Sequence, residues 1–411
     1  MDAEEASAIG ARARMIRRRR GLSLDLVAGF AGISTPYLSM LERGQRGFNR
    51  RGLLEDLAGA LRCSVVDLTG QPYPAADQES AEALASLQDI RLALNDYAPD
   101  ERPTGSPRPL EALVSETDDA SAHRDHARYN SAGHNLQSVL LELQSHVHSS
   151  KSTDRQTALA ALVDAWMIAA AVAKNFGYID LSLAATHRGH HYAELHGGPG
   201  VLSFARWYLA LGLMRLSARN RAATMLTQAI NDFTPSVQLS TSDTTAAQMV
   251  GLMHLTSAQT AARSGPPDDA HSHLDEADRI AQRVGERNAL RRHFGPTNIA
   301  AWRLAVGIEL GEGARAYADA TSLPIDVQAL GSSERTSALH LDFSRALAQE
   351  GGQRDWNAIR HLDAADRIAP QLIRPDPIAR DLLATLDRRA PRRVCELDSL
   401  RNRFGIRSGR P

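Results

Sequence analysis

Apolar residues recur every three or four positions along most of the chain, which is the spacing of one face of an α-helix. Ala, Leu, Arg and Glu dominate these stretches, whereas alternating β-branched runs typical of strands are scarce. Glycines, prolines and short polar clusters interrupt the pattern at the places where helices would end. The pattern therefore predicts an all-α protein.

Residues 1–73 are predicted to form a compact block of five short helices. The predicted helices span residues 5–20, 23–31, 35–43, 51–61 and 65–68. Gly32 supplies a tight turn between the second and third helices, because glycine adopts a positive φ at little cost. Ser34 can cap the third helix with its hydroxyl group. A tight turn followed by a short helix is typical of a helix-turn-helix unit.

The spacing of apolar residues also predicts which faces of these two helices are buried. Leu26, Val27 and Phe30 are predicted to form the inward stripe of the second helix. Leu38 and Leu41 are predicted to face inward on the third helix. The remaining positions of the third helix would then face outward.

Charge is concentrated in this block, although the whole chain has a net charge of −1. Residues 10–51 contain ten arginines but only two acidic residues, Asp25 and Glu42. A local basic field on a nearly neutral protein is what attraction to DNA phosphates requires. A codon bias towards arginine would also raise the arginine content, so the placement of the arginines matters more than their number.

Residues 74–109 are predicted to be a linker that contains one helix, near residues 80–97. The segment APDERPTGSPRP at 98–109 carries four prolines and one glycine, a composition typical of exposed connections.

Residues 110–411 are predicted to form paired helices that stack into a tetratricopeptide-like superhelix. Breaks such as HGGPG and SGPPDD recur about every 34–45 residues, close to the period of helix-pair repeats. The sequence His-Leu-Asp-x-Ala-Asp-Arg-Ile-Ala occurs twice, at 273–281 and 361–369. Such a superhelix presents a concave surface for a peptide, protein or small molecule.

Several classes of protein are not expected. The acidic N-terminus lacks the apolar core of a signal peptide, and the apolar stretch at 162–173 is too short to span a bilayer. Cys63 and Cys395 have no metal-ligand or disulfide spacing, which favours a cytoplasmic location. No catalytic or cofactor motif was found, so neither an enzyme nor a cofactor is expected.

Three histidines on one predicted helix, His187, His190 and His191, have the spacing of a possible metal-binding face. No neighbouring ligand set completes a metal site, so structural or solvated histidines are the preferred interpretation and no bound metal is expected.

The N-terminal block resembles the DNA-binding domain of Cro/phage-repressor (XRE) regulators. The segments that carry the resemblance are IGARARMIRRRRGLS, VAGFAGIS, YLSMLERG and LLEDLAGALRCSVVDL, in the order seen in the family. The resemblance implies an ion pair between Arg17 and Glu42 that braces the domain. It implies phosphate contacts by Arg14, Ser34, Arg43 and Arg46. It implies base contacts by Thr35, Pro36, Ser39 and Met40, with Tyr37 at the edge.

The chain departs from this family at Leu24, where a glutamine that reaches phosphate is usual. The middle of the recognition helix also lacks an outward Gln, Asn or Arg for bidentate base readout. Specificity would then depend on hydroxyl groups, thymine-methyl contacts and DNA shape.

The C-terminal region resembles, more loosely, the repeat domain of tetratricopeptide-containing XRE regulators of high-GC Gram-positive bacteria. A more distant resemblance is to peptide-pheromone-sensing regulators, which act in quorum sensing and grip the peptide with inner-face asparagines. The residues proposed to line a ligand groove are Trp166, Arg206, Trp207, Asn298 and Trp302. Core packing of the tryptophans, and local backbone bonding by Asn298, are the alternatives.

Together these features predict a homodimeric, cytoplasmic transcription regulator that binds operator half-sites through residues 34–43. A peptide or small-molecule effector in the repeat domain would control it. The alternative hypothesis is a tetratricopeptide adaptor or scaffold that acts through protein–protein contacts.

Overall fold

The computed structural model describes residues 8–75, 77–149, 152–239, 244–322, 325–390 and 394–406. These ranges contain 22 α-helices and no β-sheet. The all-α fold class predicted from the sequence is confirmed.

Five helices form an N-terminal unit, which we call the head. The head helices are α1 (Ile9–Arg19), α2 (Leu24–Phe30), α3 (Thr35–Glu42), α4 (Arg51–Leu61) and α5 (Val65–Thr69). The five predicted helices are therefore present, although residues 5–7 of the first prediction lie outside the described residues.

The remaining helices form a second unit, which we call the array. Its first helices are α6 (Gln78–Asp96), α7 (Leu110–Asp125), α8 (Tyr129–Gly133), α9 (Leu136–Ser149), α10 (Ser152–Asn175), α11 (Ile179–His196), α12 (Pro199–Arg215) and α13 (Arg219–Leu239). They are followed by α14 (Thr245–Ser264), α15 (Pro267–Val284), α16 (Pro296–Leu310), α17 (Gly313–Ser322), α18 (Ser333–Glu350), α19 (Asp355–Ile368), α20 (Pro370–Ile373), α21 (Pro377–Arg389) and α22 (Cys395–Arg403).

In the head, α2 and α3 meet at 105°, the geometry of a helix-turn-helix unit. Gly32 lies in the turn between them with φ of 65°. Ser23 and Ser34 cap the two helices by accepting a hydrogen bond from the backbone N–H three residues later. The capping serines and the glycine turn together fix where each helix begins.

The prediction for the buried face of α2 is wrong at two positions. Val27 is fully buried, but Leu26 is 45% exposed and Phe30 is 68% exposed. The buried stripe consists instead of Val27, Ala28 and Ala31. Small side chains therefore form the contact, which lets α2 approach the other head helices closely.

Helix α3 packs closely against α1. Leu38 and Leu41 are fully buried, as their spacing predicts. At Gly10 an added Cβ would lie 2.0 Å from the carbonyl oxygen of Leu41. Only glycine fits at this crossing, because the obstructing atom belongs to the backbone.

The helix predicted within the linker contributes to the core of the array. Ala83, Leu87, Ile90 and Ala93 of α6 are fully or almost fully buried, in the same hydrophobic core as residues of α9 and α10. Most residues at 98–109 are exposed, as their composition predicts.

The predicted helix pairs are present from α10 onwards, as α10–α11, α12–α13, α14–α15, α16–α17, α18–α19 and α21–α22. The first unit differs, since residues 110–149 form three helices instead of two. The two near-identical sequences bury the same face of α15 and of the α19 region. The equivalent buried residues are Leu274, Ala277 and Ala281 in the first copy and Leu362, Ala365 and Ala369 in the second.

Helix α10 is the most apolar of the long helices. Over Thr153–Asn175 its mean hydropathy reaches 1.6, and it is the one helix in the described residues that is long and apolar enough to cross a membrane. Most of that stretch is buried against neighbouring helices. Its apolar character is therefore accounted for by its central place in the core.

The array curls so that its early and late units contact each other. Arg124 Nη1 lies 2.8 Å from Glu334 Oε2, and the hydroxyl group of Ser332 donates to the backbone oxygen of Asp125 at 2.8 Å. Asn175 donates to the backbone oxygen of Gln371. These contacts bring inner faces of helices that are distant in sequence close to one another.

Candidate nucleic-acid interface

Helix α3 presents the residues predicted to read bases on the side away from the head core. Pro36 is exposed, and Thr35, Ser39 and Met40 are half-buried. The hydroxyl group of Thr35 donates to Asp25 Oδ1 at 2.7 Å. The oxygen of that hydroxyl group keeps acceptor capacity towards an external donor.

Tyr37 and Arg46 lie at the edge of this surface. Both line a crevice of about 180 Å³ between the head and the array, together with Gly311 of the array. Of the five residues predicted to approach bases, Tyr37 is thus the one beside the array.

Arg17 and Glu42 form a two-pronged ion pair between α1 and α3. Arg17 Nε lies 2.6 Å from Glu42 Oε1, and Arg17 Nη2 lies 2.7 Å from Glu42 Oε2. The side chains are 10% and 4% exposed, respectively. The hydrogen bond to Glu42 raises the pKa of the Arg17 side chain. This pair braces the fold and leaves neither group available to DNA.

Two other arginines, one in α1 and one directly after it, form structural contacts within the head. Arg12 donates to the carbonyl oxygens of Leu68 at 2.7 Å and Thr69 at 2.5 Å, at the end of α5. Arg20 donates to the carbonyl oxygen of Arg62 at 2.8 Å, just after α4. Cations at these positions satisfy the free carbonyl groups at helix C-termini.

A second group of arginines is exposed on the head. Its members are Arg14, Arg18, Arg19, Arg43 and Arg46. Arg43 Nε donates to the carbonyl oxygen of Ser39 on its own helix at 3.1 Å. Among the described residues, no ion pair engages the guanidinium groups of this set. These cations are therefore available to an external polyanion.

A buried group of charges attaches the head to the array, and we call it the attachment cluster. It comprises Glu55 of the head and Arg219, Arg263, Glu309 and Arg345 of the array. It was not predicted from the sequence, because the head–array partners in it are separated by more than 160 residues.

Glu309 is the centre of the attachment cluster. Its carboxylate accepts hydrogen bonds from the backbone N–H groups of Arg51 at 3.2 Å and Gly52 at 3.1 Å, the first two residues of α4. Arg345 donates to the same carboxylate at 2.7 Å. Burial alone would raise the pKa of Glu309, but Arg263 and Arg345 lower it to about 2. A side chain of α16 thus caps a helix of the head.

The other members of the cluster continue this contact. Arg263 Nη1 lies 3.3 Å from Glu55 Oε1, and Arg219 Nε lies 3.5 Å from Glu55 Oε2. Arg345 also donates to the backbone oxygen of Asn49 at 2.9 Å.

The turn that follows α3 is held by α21 of the array. The backbone N–H of Phe48 donates to Asp381 Oδ2 at 2.7 Å. Gly47 packs so closely that an added Cβ would lie 2.5 Å from Thr385 Oγ1. The position of the recognition helix is therefore coupled to the end of the array.

The residues predicted to line a ligand groove lie in different surroundings. Trp166 is 1% exposed and belongs to the core, and Trp207 Nε1 donates to Thr256 Oγ1 at 2.8 Å. Asn298 is 2% exposed, and its side-chain oxygen accepts from Arg335 at 2.7 Å.

Trp302 lies beneath the guanidinium group of Arg335, whose Cζ is 5.6 Å from the ring centroid. Arg206 pairs with Asp232 at 2.5 Å and lines a cleft of about 650 Å³ together with His187 and His190. No group of three potential metal ligands occurs in the part of the chain that the structure describes.

Comparisons with known proteins agree on the head. Residues 8–69 match a protein family described as "Helix-turn-helix domain". The chain is 29% identical over 89 residues to the uncharacterized HTH-type transcriptional regulator RghRB of Bacillus subtilis (strain 168). This match covers 20% of the chain and 64% of RghRB. The head is thus a helix-turn-helix domain, and the chain spans slightly less than two thirds of this relative.

Solved structures show looser similarity over a larger part of the chain. Bacillus thuringiensis PlcR, solved with the peptide PapR7 and DNA, is 13% identical with a TM-score of 0.30, over 73% of this chain and 99% of PlcR. BtubC from P. vanneervenii is 15% identical with a TM-score of 0.33, over 74% of this chain and 95% of BtubC. The apo form of the competence regulator ComR of Streptococcus vestibularis is 14% identical with a TM-score of 0.25, over 74% of this chain and 99% of ComR.

Proposed function

We propose that the chain is a cytoplasmic, homodimeric transcription regulator that binds operator half-sites through α3. In this proposal the array holds a peptide or small-molecule effector, as in quorum sensing. The observation that supports DNA binding best is the division of the head arginines. One group satisfies internal carbonyl and carboxylate groups, whereas a second group, on α1 and directly after α3, is exposed. Exposed cations beside a helix-turn-helix surface favour contact with DNA phosphates.

The attachment of the head to the array supports the regulatory part of the proposal. Asp381 of α21 and Glu309 of α16 both bond backbone N–H groups within ten residues of the end of α3. A change in the relative positions of these array helices would therefore move the recognition helix. Two heads of a dimer read DNA together only if their recognition helices are about 34 Å apart.

DNA binding is tested by fluorescence anisotropy with duplexes that tile the region upstream of the protein's own gene. We expect the double variant Arg43→Ala/Arg46→Ala to bind at least about tenfold more weakly, since two charge-assisted contacts are lost. The slope of log K against log salt concentration should decrease by about 2.

The matched control is Arg315→Ala, because Arg315 is also exposed but lies on α17 of the array. Its affinity and salt slope should equal those of the unmodified protein. If no duplex binds, or if the double variant binds normally, the DNA-binding proposal is wrong and a protein–protein adaptor becomes the better interpretation.

A further inference from the structure

Polar side chains from distant parts of the array converge on its inner side, and we call them the interior cluster. The interior cluster consists of Arg124 (α7), Tyr129 (α8), Asp164 and Lys174 (α10), Tyr208 (α12), Arg292 (between α15 and α16) and Glu334 (α18). Arg124 links these elements, because its Nη1 binds Glu334 at 2.8 Å and its Nη2 donates to the backbone oxygen of Arg291, next to Arg292, at 2.9 Å. Helix α10 packs against α7 and α8.

Arg292 forms no ion pair among the described residues. Its side chain lies against two aromatic rings, with Cζ 4.9 Å from the Phe204 centroid and 4.8 Å from the Tyr208 centroid. The residue is 8% exposed, and its Nε and Nη2 atoms have no hydrogen-bond partner among the described residues. A buried cation without a counter-charge is unfavourable by several kcal/mol unless something else neutralises it.

Other donors of the cluster are also unsatisfied. Tyr129 is completely buried, and its hydroxyl group lacks a partner within the described parts of the chain. The same holds for Nε of Arg124, although Nη1 of that residue binds Glu334 at 2.8 Å. Buried polar groups are normally hydrogen-bonded, so several orphaned donors in one place need an explanation.

Two cations of the interior cluster have no ion pair. Arg124 binds Glu334 at 2.8 Å and lies 3.8 Å from Asp125, whereas neither Arg292 nor Lys174 forms an ion pair within the described residues. Asp164 Oδ1 is also buried without a hydrogen-bond partner there, and burial raises the pKa of Asp164. Burial lowers the pKa of Lys174. An added anion would supply the counter-charge of Arg292 and favour the charged form of Lys174.

Part of the interior cluster is exposed to solvent. Asp164, Lys174, Tyr208 and Glu334 are each only half-buried, whereas Tyr129 is fully buried and Arg292 is 8% exposed. An anion would therefore approach the orphaned donors from the side of the four partly exposed residues.

We propose that the interior cluster is the effector site, and that the effector carries an anionic group with two or more acceptor oxygens. Arg292 and Lys174 neutralise this carboxylate or phosphate group, and the hydroxyl group of Tyr129 donates a hydrogen bond to it. The regulatory role of the anion depends on the function proposed above, whereas the binding of the anion does not.

The test is thermal unfolding of the full chain with two minimal probes at constant ionic strength. Inorganic phosphate represents phosphate-bearing effectors, and N-acetylphenylalanine represents the free carboxylate of a peptide or acid. Sodium chloride provides the baseline. Specific binding raises Tm in a saturable manner, according to mass action. We expect at least one probe to do so, and its identity distinguishes the two sources of the anion.

Three variants separate the site from general salt effects. Arg292→Gln should weaken the apparent affinity at least tenfold, because a charged hydrogen-bonding partner is lost. Tyr129→Phe should weaken it about fivefold without harming folding, since the hydroxyl group has no hydrogen-bond partner among the described residues. Arg315→Gln, an exposed control on α17, should respond like the unmodified chain.

The proposal is overturned if neither probe gives a saturable rise, or if Arg292→Gln and Tyr129→Phe respond like the unmodified chain. Anisotropy with the upstream duplexes, measured without probe, shows separately whether the DNA-binding proposal fails. If the anion-binding test fails, the DNA-binding test can therefore still be interpreted, and the reverse also holds.

Discussion

The attachment cluster and the interior cluster are both buried groups of arginines and carboxylates, yet they differ in ion pairing. Every charged side chain of the attachment cluster lies within 4.0 Å of an opposite charge, although Glu55 Oε2 and Arg263 Nε have no hydrogen bond among the described residues. In the attachment cluster, Glu309 receives two backbone N–H groups and Arg345, and Arg263 Nε lies 3.9 Å from it. In the interior cluster, Arg292 faces aromatic rings and has unsatisfied nitrogen atoms.

This difference indicates two different roles for buried charge. A paired network holds two units of a protein in one arrangement, because removal of any member exposes the others to an unfavourable environment. An unpaired buried cation contributes no ion-pair stabilisation, and we attribute Arg292 to the anion proposed above. The comparison can be tested by substituting equivalent groups in the two clusters.

The largest effect is expected for Arg345→Met in the attachment cluster. Loss of this arginine removes the donor of Asp342 and the closest cation of Glu309, which keeps only the backbone N–H groups of Arg51 and Gly52 as direct donors; this should cost about 3–5 kcal/mol. We expect this loss of stability to appear as faster hydrogen–deuterium exchange of the amides of residues 47–52, where the head is attached. Exchange at the unmodified rate would show that the charges do not hold the head.

A smaller effect is expected for Gly47→Ala, which tests the contact with α21 without changing any charge. The added Cβ would lie 2.5 Å from Thr385 Oγ1, so overpacking should destabilise the attachment by about 1–3 kcal/mol. The double variant Gly47→Ala/Thr385→Ala removes the obstructing atom and should restore most of the lost protection. Failure of this rescue would place the strain in the head backbone instead.

The sequence predicted the local structure well, and the long-range contacts poorly. Capping serines, glycine breaks and the duplicated His-Leu-Asp motif predict helices, since these signals act within a few residues. The exposure of Phe30 was not predicted, because periodicity cannot decide which neighbouring face of a seven-residue helix is buried. The bond from Gly52 to Glu309 joins residues 257 positions apart and leaves no local signal.

Candidate ligand residues were missed for a related reason. Tryptophans attract attention in a sequence, but Trp166 and Trp207 are needed for the core. Arg292 and Tyr129 resemble ordinary arginine and tyrosine residues until the structure shows their donors buried and unpaired. The binding role that we propose for these residues rests on the lack of a partner within the described residues, which only three-dimensional contacts reveal.

A decrease in pH should destabilise the array before it weakens the attachment of the head. In the duplicated units, His254 lies 3.0 Å from His273, and His340 lies 3.0 Å from His361. Burial, together with the neighbouring histidine, lowers the pKa of His254 and of His361 to about 4. The unfolded chain therefore binds more protons between about pH 6.5 and 4, and array stability falls as the pH decreases through this range.

The carboxylate of Glu309 contributes to stability over a different pH range. Its pKa of about 2 in the folded protein lies below the ordinary glutamate value, so its contribution is retained above about pH 4.5 and lost towards pH 2. Hydrogen exchange between pH 7 and 4.5, corrected for intrinsic rates, should show loosening around α15 and α19 before the attachment opens. Simultaneous loss of both would contradict the assignment of separate groups.

The smallest change in stability is expected for Arg292→Met, the counterpart of Arg345→Met in the interior cluster. Methionine retains the apolar stem and favourable contact with the rings of Phe204 and Tyr208, and it removes an uncompensated buried charge. Without an anion, the urea midpoint should therefore stay the same or rise, opposite in sign to the effect of Arg345→Met. A loss of stability as large as that of Arg345→Met would mean that Arg292 has a partner within the folded chain, and the distinction between the two clusters would fail.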